Sequence, residues 1–287
     1  WLSSADHPLT ARVYVNRVWN YLLGRGIVAS VDNFGELGNR PTHPELLDNL
    51  ASEFIRDGWS TKSLIRRIVL SRTYQMSSRH DERSWNIDPE NNLLWRAHRK
   101  RVVAESIRDS MLAISGRLDL APAGSPVEGL GTLVTQNTAE QSKFDRGESF
   151  ARSAYLPLIR AELPPILVAF DFADPDLVMG QRSETNVPGQ ALLLLNSPFV
   201  MQQAVSTAAR VRESVGVEDE ASPAVLQQAY QFVLSRQATD AELQRARSFI
   251  EQTSVQRATT AGKKSTVDPL AQFIHTLFAC TEFRMLD

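Results

Sequence analysis

Cysteine is almost absent, with Cys280 the single one in 287 residues. An intrachain disulfide is thereby excluded, as are a thiolate-rich metal site and a C-x-x-C-H haem attachment in this chain. Cys280 follows Phe273, Ile274, Leu277 and Phe278, which reads as a buried apolar thiol and not as a nucleophile. A surplus of one charge is also lacking: 31 basic and 33 acidic residues give a formal net charge of −2. Nucleic-acid and anionic-membrane binders usually carry a basic excess, so neither partner is expected. The strongest apolar runs, Ile166 to Phe170 and Ala191 to Leu195, fall far short of the ~20 residues of a spanning helix, and no membrane insertion is expected. Neither G-x-S-x-G nor H-E-x-x-H occurs, and His7, His43, His80, His98 and His275 are scattered. A serine-hydrolase elbow and a zinc-protease helix are therefore excluded, and no metal site is expected.

What the sequence does carry is densest in residues 16 to 78. Thr42-His43-Pro44-Glu45 reads as a helix start in which Thr42 caps the free amides and Glu45, three residues on, returns a bond to the cap. Pro44 falls where a missing N–H costs little. Leu46, Leu47, Leu50, Ala51, Phe54 and Ile55 recur at helical spacing, and Gly58 supplies a left-handed stop. Ser60 then begins a second helix in which Leu64, Ile65, Ile68 and Val69 repeat the pattern. Two amphipathic helices on so short a link should pack together. Upstream, Asp6 is expected to cap a helix with Ala11, Tyr14, Val15, Val18, Trp19 and Leu22 inward; Gly24 and Gly26 end it, and residues 27–41 form an ordered loop anchored by Phe34.

Residues 77–89 read as a polar surface excursion, and a helix from about Arg101, with Val103, Ile107, Met111 and Ile114 inward, ends at Gly116. Residues 117–151 lack a helical period. Ser153 to Leu158 is the best strand candidate, confined to an edge by Pro157. Further helices are expected at Pro165 to Phe170, from Pro188, from Pro198 with Phe199, Val200, Ala204, Val205, Ala208 and Val211 inward, from Ser222, after a Thr239/Glu242 capping box, and from Asp268. Residues 253–267 are expected to be a mobile connection. The fold class is mainly α: an irregular multi-helix single domain over residues 1–287, of about eight to ten helices, with a small β element near residues 150–160.

NRVW, GRGIV, NFGELG, PTHPELLDNLASEF and LSRTYQMSS are followed by E-x-x-R-D at Glu105 to Asp109 and R-S-x-Y-L-P at Arg152 to Pro157. F-D-x-x-D-P at Phe170 to Pro175 and Q-A-L-x-L-L-N-S-P-F at Gln190 to Phe199 complete the set. Over nearly the whole chain these resemble the planctomycete-specific (PSD-type) domain of large exported proteins, where it lies C-terminal to cytochrome c-like modules. The resemblance implies that the chain is a fragment of a longer exported protein, located outside the cytoplasm or at the cell surface. Its implied partners are other domains of the same polypeptide or envelope proteins. Haem would belong to an adjoining domain, and no cofactor is expected in this chain. The family's activity is not established, so the resemblance assigns no catalytic residue.

The polar residues nominate sites of several classes. His43, beside Glu45, suits either a general base or a loop-holding residue. Asp171, Asp174 and Asp176 offer hard oxygen ligands but lack the Gly and terminal Glu of an EF-hand, and turn formation accounts for them more simply. Glu45, Glu105, Asp109 and Asp171 supply carboxylates for glycoside hydrolysis only if two face each other across a groove. Arg152, Arg160, Arg182, Asn186, Gln190 and Asn196, if convergent, would make a pocket for carbohydrate or carboxylate; otherwise they satisfy buried backbone groups. Arg96, Arg99, Lys100 and Arg101 with Trp95 form the densest basic patch, suited to phosphate or sulfated glycan unless it is simply a solvated face. The candidate binding set is His43, Arg152, Arg160, Asp171, Arg182, Asn186 and Asn196. The expected function is a non-catalytic interaction or scaffold domain; the alternative is a carbohydrate-active enzyme or glycan-binding module with a polysaccharide as partner.

Overall fold

A computed structural model describes residues 1–2, 4, 7–121, 150–156, 163–216, 219–259 and 268–286. Helices dominate, as the apolar periods predict, but twelve α-helices occur among the described residues instead of eight to ten, with one pair of two-residue strands. They belong to two units, Trp1–Arg101 with Leu177–Arg182 and Met285–Asp287, and Val102–Asp176 with Ser183–Arg284.

In the first unit, α1 (Thr10–Leu23) buries Ala11, Val15, Trp19 and Leu23. Asp6 lies outside the described residues, and His7 Nδ1 accepts the Thr10 N–H at 3.1 Å. Asn16, fully buried, donates through Nδ2 to the Val28 carbonyl and accepts the Val28 N–H on Oδ1, both at 2.9 Å. A Cβ on Gly26 would meet the Val28 carbonyl at 2.5 Å and Asn16 Nδ2 at 2.9 Å, so this close approach requires glycine. The NRVW and GRGIV segments are thus joined by a side-chain clamp on backbone.

Helices α2 (Pro44–Arg56) and α3 (Thr61–Val69) form the expected pair. Leu47, Leu50, Ala51 and Phe54 of α2 and Leu64 and Ile68 of α3 join Val15, Trp19, Ile27 and Val28 in one core, with Phe34 packed against it. Burying such large side chains stabilises by about 1.5–3 kcal/mol each. The link is left-handed at Gly58 (φ +69°) and at Trp59 (φ +62°), and their N–H groups return to the Ile55 and Phe54 carbonyls. Ser60 caps α3 by accepting the Ser63 N–H at 3.3 Å. The start of α2 departs from expectation. Thr42 directs both its N–H and its hydroxyl to the Ile27 carbonyl, which leaves His43 at the N-cap without a side-chain cap bond and Glu45 one position early for a capping box. α4 (Glu82–Ile87) lies inside the stretch expected to be a surface excursion. β1 (Lys100–Arg101) pairs antiparallel with β2 (Met285–Leu286).

The second unit comprises α5 (Ala104–Ile114), α6 (Pro165–Ala169), α7 (Pro188–Asn196), α8 (Pro198–Val215), α9 (Pro223–Leu234), α10 (Asp240–Thr259), α11 (Pro269–Ala279) and α12 (Thr281–Arg284). Its core is built on α11, whose Leu270, Ala271, Phe273, Ile274, Leu277 and Phe278 are buried against α7, α8, α9 and α10. On α8, Val200, Ala204, Ala208 and Val211 face this core. Val205, expected inward, is exposed, and Gln203 and Thr207 are buried in its place; Ser115 Oγ lies 2.8 Å from Gln203 Oε1. Asp268 caps α11 by accepting the Leu270 N–H at 3.0 Å and takes Arg212 Nη2 at 2.7 Å on each oxygen. The Thr239/Glu242 capping box forms as expected, with the Thr239 N–H on Glu242 Oε2 at 2.8 Å and the return bond at 3.4 Å. Cys280 is half-buried, and burial pushes its thiol up.

Two local expectations are revised. Near residues 150–160 the described backbone carries one bridge, Ala151 with Asp119, and Ser153–Tyr155 is a 3-10 turn, while Pro157 and Leu158 of the expected strand lie outside the described residues. Asp109 accepts both the N–H and the hydroxyl of Ser153, at 2.8 and 2.7 Å, and this pulls the chain out of an extended path. The stretch 253–267 is helical as far as Thr259; the Thr253 and Ser254 hydroxyls donate to the Phe249 and Ile250 carbonyls and so follow the helix instead of breaking it. Residues 260–267 lie outside the described residues.

Candidate functional site

The residues expected to form a site are placed as follows. His43 belongs to the first unit and sits 2.9 Å through Nδ1 from the Thr42 hydroxyl, holding the entrance to α2. Arg182 is grouped with the first unit as well. In the second unit, Arg152 is exposed at the N-cap of the 3-10 turn. Asp171, at φ +54°, accepts the Thr185 N–H at 2.8 Å, and Gln190 Nε2 donates to the Thr185 carbonyl at 3.1 Å. Asn186 is exposed, and Asn196 donates back to the Leu192 carbonyl of its own helix at 2.8 Å. Arg160 lies outside the described residues. The best-partnered of these polar groups hold backbone.

A different surface stands out on α3. Leu64 and Ile68 face the core, whereas Ile65, Val69 and the following Leu70 line a shallow open trough of about 380 Å³ with Lys62 and Arg66 on its margin. Ile65 and Leu70 are 37% and 67% exposed. Among the described residues neither Lys62 nor Arg66 meets a carboxylate, while the adjacent Arg67 is tied to Glu53 and Asp57. The signal was in the sequence: apolar residues at 64, 65, 68 and 69 make a stripe wider than one buried face needs.

A second cluster grows from α4. Asp81 caps it by accepting the Ser84 N–H at 2.8 Å. After it, the Asp88 carboxylate accepts the Asn92 and Leu93 N–H groups at 3.0 and 2.7 Å, and its carbonyl takes Trp95 Nε1 at 2.8 Å. Asn91, buried and at φ +54°, donates to the Arg96 carbonyl at 2.8 Å and accepts the Arg96 N–H at 3.3 Å. So fixed, Arg96 sets its guanidinium 4.7 Å from the Trp95 ring and 5.8 Å from the Trp85 ring. The His80 ring lies 5.5 Å from the Trp85 ring and 6.1 Å from the Trp95 ring. His98 Nε2 is 3.3 Å from Asn91 Nδ2; burial first, then the charges of Arg25 and Arg96, push its imidazole down. The expected basic patch disperses: Lys100 donates to the Tyr21 carbonyl and Arg101 is buried. Trp85 and His80 were not anticipated, because only the folded turn brings them to Arg96.

The sequence model of PSD1, a family described as protein of unknown function (DUF1553), matches residues 1–250. The chain belongs to the PSD1 family. No curated protein and no solved structure matches it. In this PSD1 chain the motif polar residues meet as pairs. Asn16 of NRVW grips Val28 of GRGIV. Arg108 and Asp109 of E-x-x-R-D hold Ala151 and Ser153, the Arg108 guanidinium donating to the Ala151 carbonyl at 2.9 Å. Asp171 of F-D-x-x-D-P reaches Gln190 of Q-A-L-x-L-L-N-S-P-F through Thr185. Each pair supplies partners for backbone groups that irregular segments leave unmatched.

Proposed function

We propose that this PSD1 chain is a non-catalytic interaction domain that receives an acidic amphipathic helix of a protein partner on α3. The observation that carries this reading is the α3 trough, in which Ile65, Val69 and Leu70 lie beside Lys62 and Arg66, cations that meet no carboxylate among the described residues. A helix with apolar anchors one turn apart and Asp or Glu beside them would match both the apolar strip and its charged margin. An anionic membrane is the weaker occupant: two such cations contribute about 1 kcal/mol each at such a surface, and the helix presents few apolar side chains to insert. The carbohydrate-active enzyme reading is less favoured, since Asp109 and Asp171 are engaged with Ser153 and Thr185. The setting, an exported planctomycete polypeptide outside the cytoplasm or at the cell surface with a cytochrome c-like neighbour, rests on family resemblance alone.

The test is calorimetric titration of the chain with a 14-residue helical peptide carrying Leu at i, i+4 and i+7 flanked by Glu. The same peptide with Lys for Glu, and phosphatidylserine vesicles, serve as competing probes. The Glu peptide is expected to bind at least tenfold tighter than the Lys peptide and to lose that affinity in Ile65→Ser/Leu70→Ser. Equal binding of the two peptides, or preference for the vesicles, would overturn the reading.

A further inference from the structure

We propose that Arg96, set over the rings of Trp85 and Trp95, is the anion-recognising centre of a binding site for acidic polysaccharide, with the Trp85 indole as platform for a sugar ring.

A guanidinium carries five N–H donors in a planar fork that matches a carboxylate or a sulfate. In the first unit Arg12, Arg17, Arg25 and Arg67 each meet a carboxylate. Arg96 does not: among the described residues its guanidinium has two ring faces for neighbours and no hydrogen bond or ion pair. The carboxylates of the surrounding turn have other partners. Both Asp88 oxygens take backbone N–H groups, Glu82 Oε2 lies 3.1 Å from His80 Nε2, and Glu90 Oε2 is shared by Asn92 and Arg25. Arg96 therefore presents a positive charge whose donors have no protein partner among the described residues; the imidazole of His98, pushed down first by burial and then by Arg25, is pushed down by Arg96 as well.

Pre-organisation is the second part of the case. Asn91 bonds both the N–H and the carbonyl of Arg96, and Asp88 fixes the Trp95 indole. The two rings flank the guanidinium, so less side-chain freedom remains to be lost on binding. The rings offer no hydrogen-bond acceptor, so the contact with them leaves the guanidinium donors for a ligand.

A sugar is favoured over a nucleic acid by what surrounds the cation. Trp85 is 40% exposed, an apolar plate with room for one ring face. The same turn carries Glu82, bonded to His80, and Glu90, bonded to Asn92, whose side chains are 79% and 72% exposed. These repel a duplex backbone with a charge every ~1.7 Å far more than a chain that places its charges a sugar apart.

The test is affinity electrophoresis of the full chain in gels containing polygalacturonate, dextran sulfate or neutral dextran; the first two distinguish carboxylate from sulfate as the group recognised. Retardation by at least one acidic polymer and none by dextran is expected. Arg96→Gln should weaken it at least tenfold, and Arg96→Lys, which keeps charge but loses the fork, at least threefold. Trp85→Ala, or Trp85→Phe should the alanine variant unfold, should separate the platform from the charge by weakening binding without changing the preference for acidic over neutral polymer. Arg247→Gln, a cation on α10 paired with Glu251, should stay within twofold of wild type. The proposal fails if neither acidic polymer binds, if Arg96→Gln binds as wild type with an unchanged melting temperature, if Arg247→Gln loses as much as Arg96→Gln, or if oligo(dT) binds more tightly than both polymers.

Discussion

Asp171 and Thr185, 14 positions apart, close the loop between α6 and α7 on a single carboxylate: the Thr185 N–H reaches Oδ2 at 2.8 Å, and its hydroxyl lies 3.0 and 2.9 Å from the two oxygens. Asp171→Ala removes the acceptor and places a residue without local hydrogen-bonding capacity at a left-handed position. A loss of about 1–3 kcal/mol is expected, with faster amide exchange over residues 172–187. Asp171→Asn, which tolerates the same backbone, should lose about half as much. Hydrogen exchange read by mass spectrometry, beside urea unfolding, checks both.

Asp109→Ala should be more severe. It leaves the Ser153 N–H without its acceptor and takes away the carboxylate 3.5 Å from the buried Arg108. Burial already pushes the Arg108 pKa down, the mark of a charge with little solvent. Arg108 keeps its bonds to the Ala151 carbonyl and the Ser153 hydroxyl, so the loss is expected near the low end for a broken buried pair, about 3 kcal/mol, whereas Arg108→Met should cost less because the Asp109 carboxylate it leaves stays bonded to Ser153. Urea midpoints of the two variants give the order.

Acid should weaken the second unit through Glu242. The Arg236 side-chain bond, then the Thr239 N–H, hold its carboxyl at about 2 against an ordinary 4.5. Between these values the unfolded chain binds more protons, so this contribution is complete above 4.5 and is lost as pH falls through about 2. Arg236→Gln should flatten the fall of stability over that window, measured as the difference between wild type and variant at each pH.

His98 titrates in the opposite chemical sense with the same slope. Its folded pKa lies below 6.5, by burial and then by Arg25 and Arg96; the unfolded state takes the proton first, and the stability this residue contributes is full above 6.5 and declines as pH falls. Arg96→Gln removes one of the neighbouring charges and should move the His98 titration upward in imidazole NMR. A titration that stays in place would show that Arg96 does not face this ring.

Local chemistry was legible and long-range competition was not. Ser60, Gly58, Gly116 and the Thr239/Glu242 box do what their neighbours in sequence dictate, because each bond they make spans three or four residues. Thr42 fails as a cap since Ile27, 15 positions away, claims its hydroxyl. Ser153 turns instead of extending because Asp109, 44 positions away, holds it. The candidate site suffered in the same way. Asp171 and Asn196 look free in sequence and are bound in the fold to Thr185 and Leu192. Trp85 and Arg96 look unrelated in sequence and are brought together by a turn wound on Asp88 and Asn91. The width of the stripe at 64, 65, 68 and 69 is visible in sequence, but which edge of it the core leaves uncovered, here Ile65, is decided by packing.

Asn16 and Gly26 carry a consequence for how this family can diverge. Any side chain at position 26 would collide with Asn16 Nδ2 and the Val28 carbonyl, and any shortening at position 16 would strip Val28 of both its bonds. The two positions are therefore expected to covary across relatives, changing together or staying fixed, as a heritable pair whose members tolerate replacement only in company.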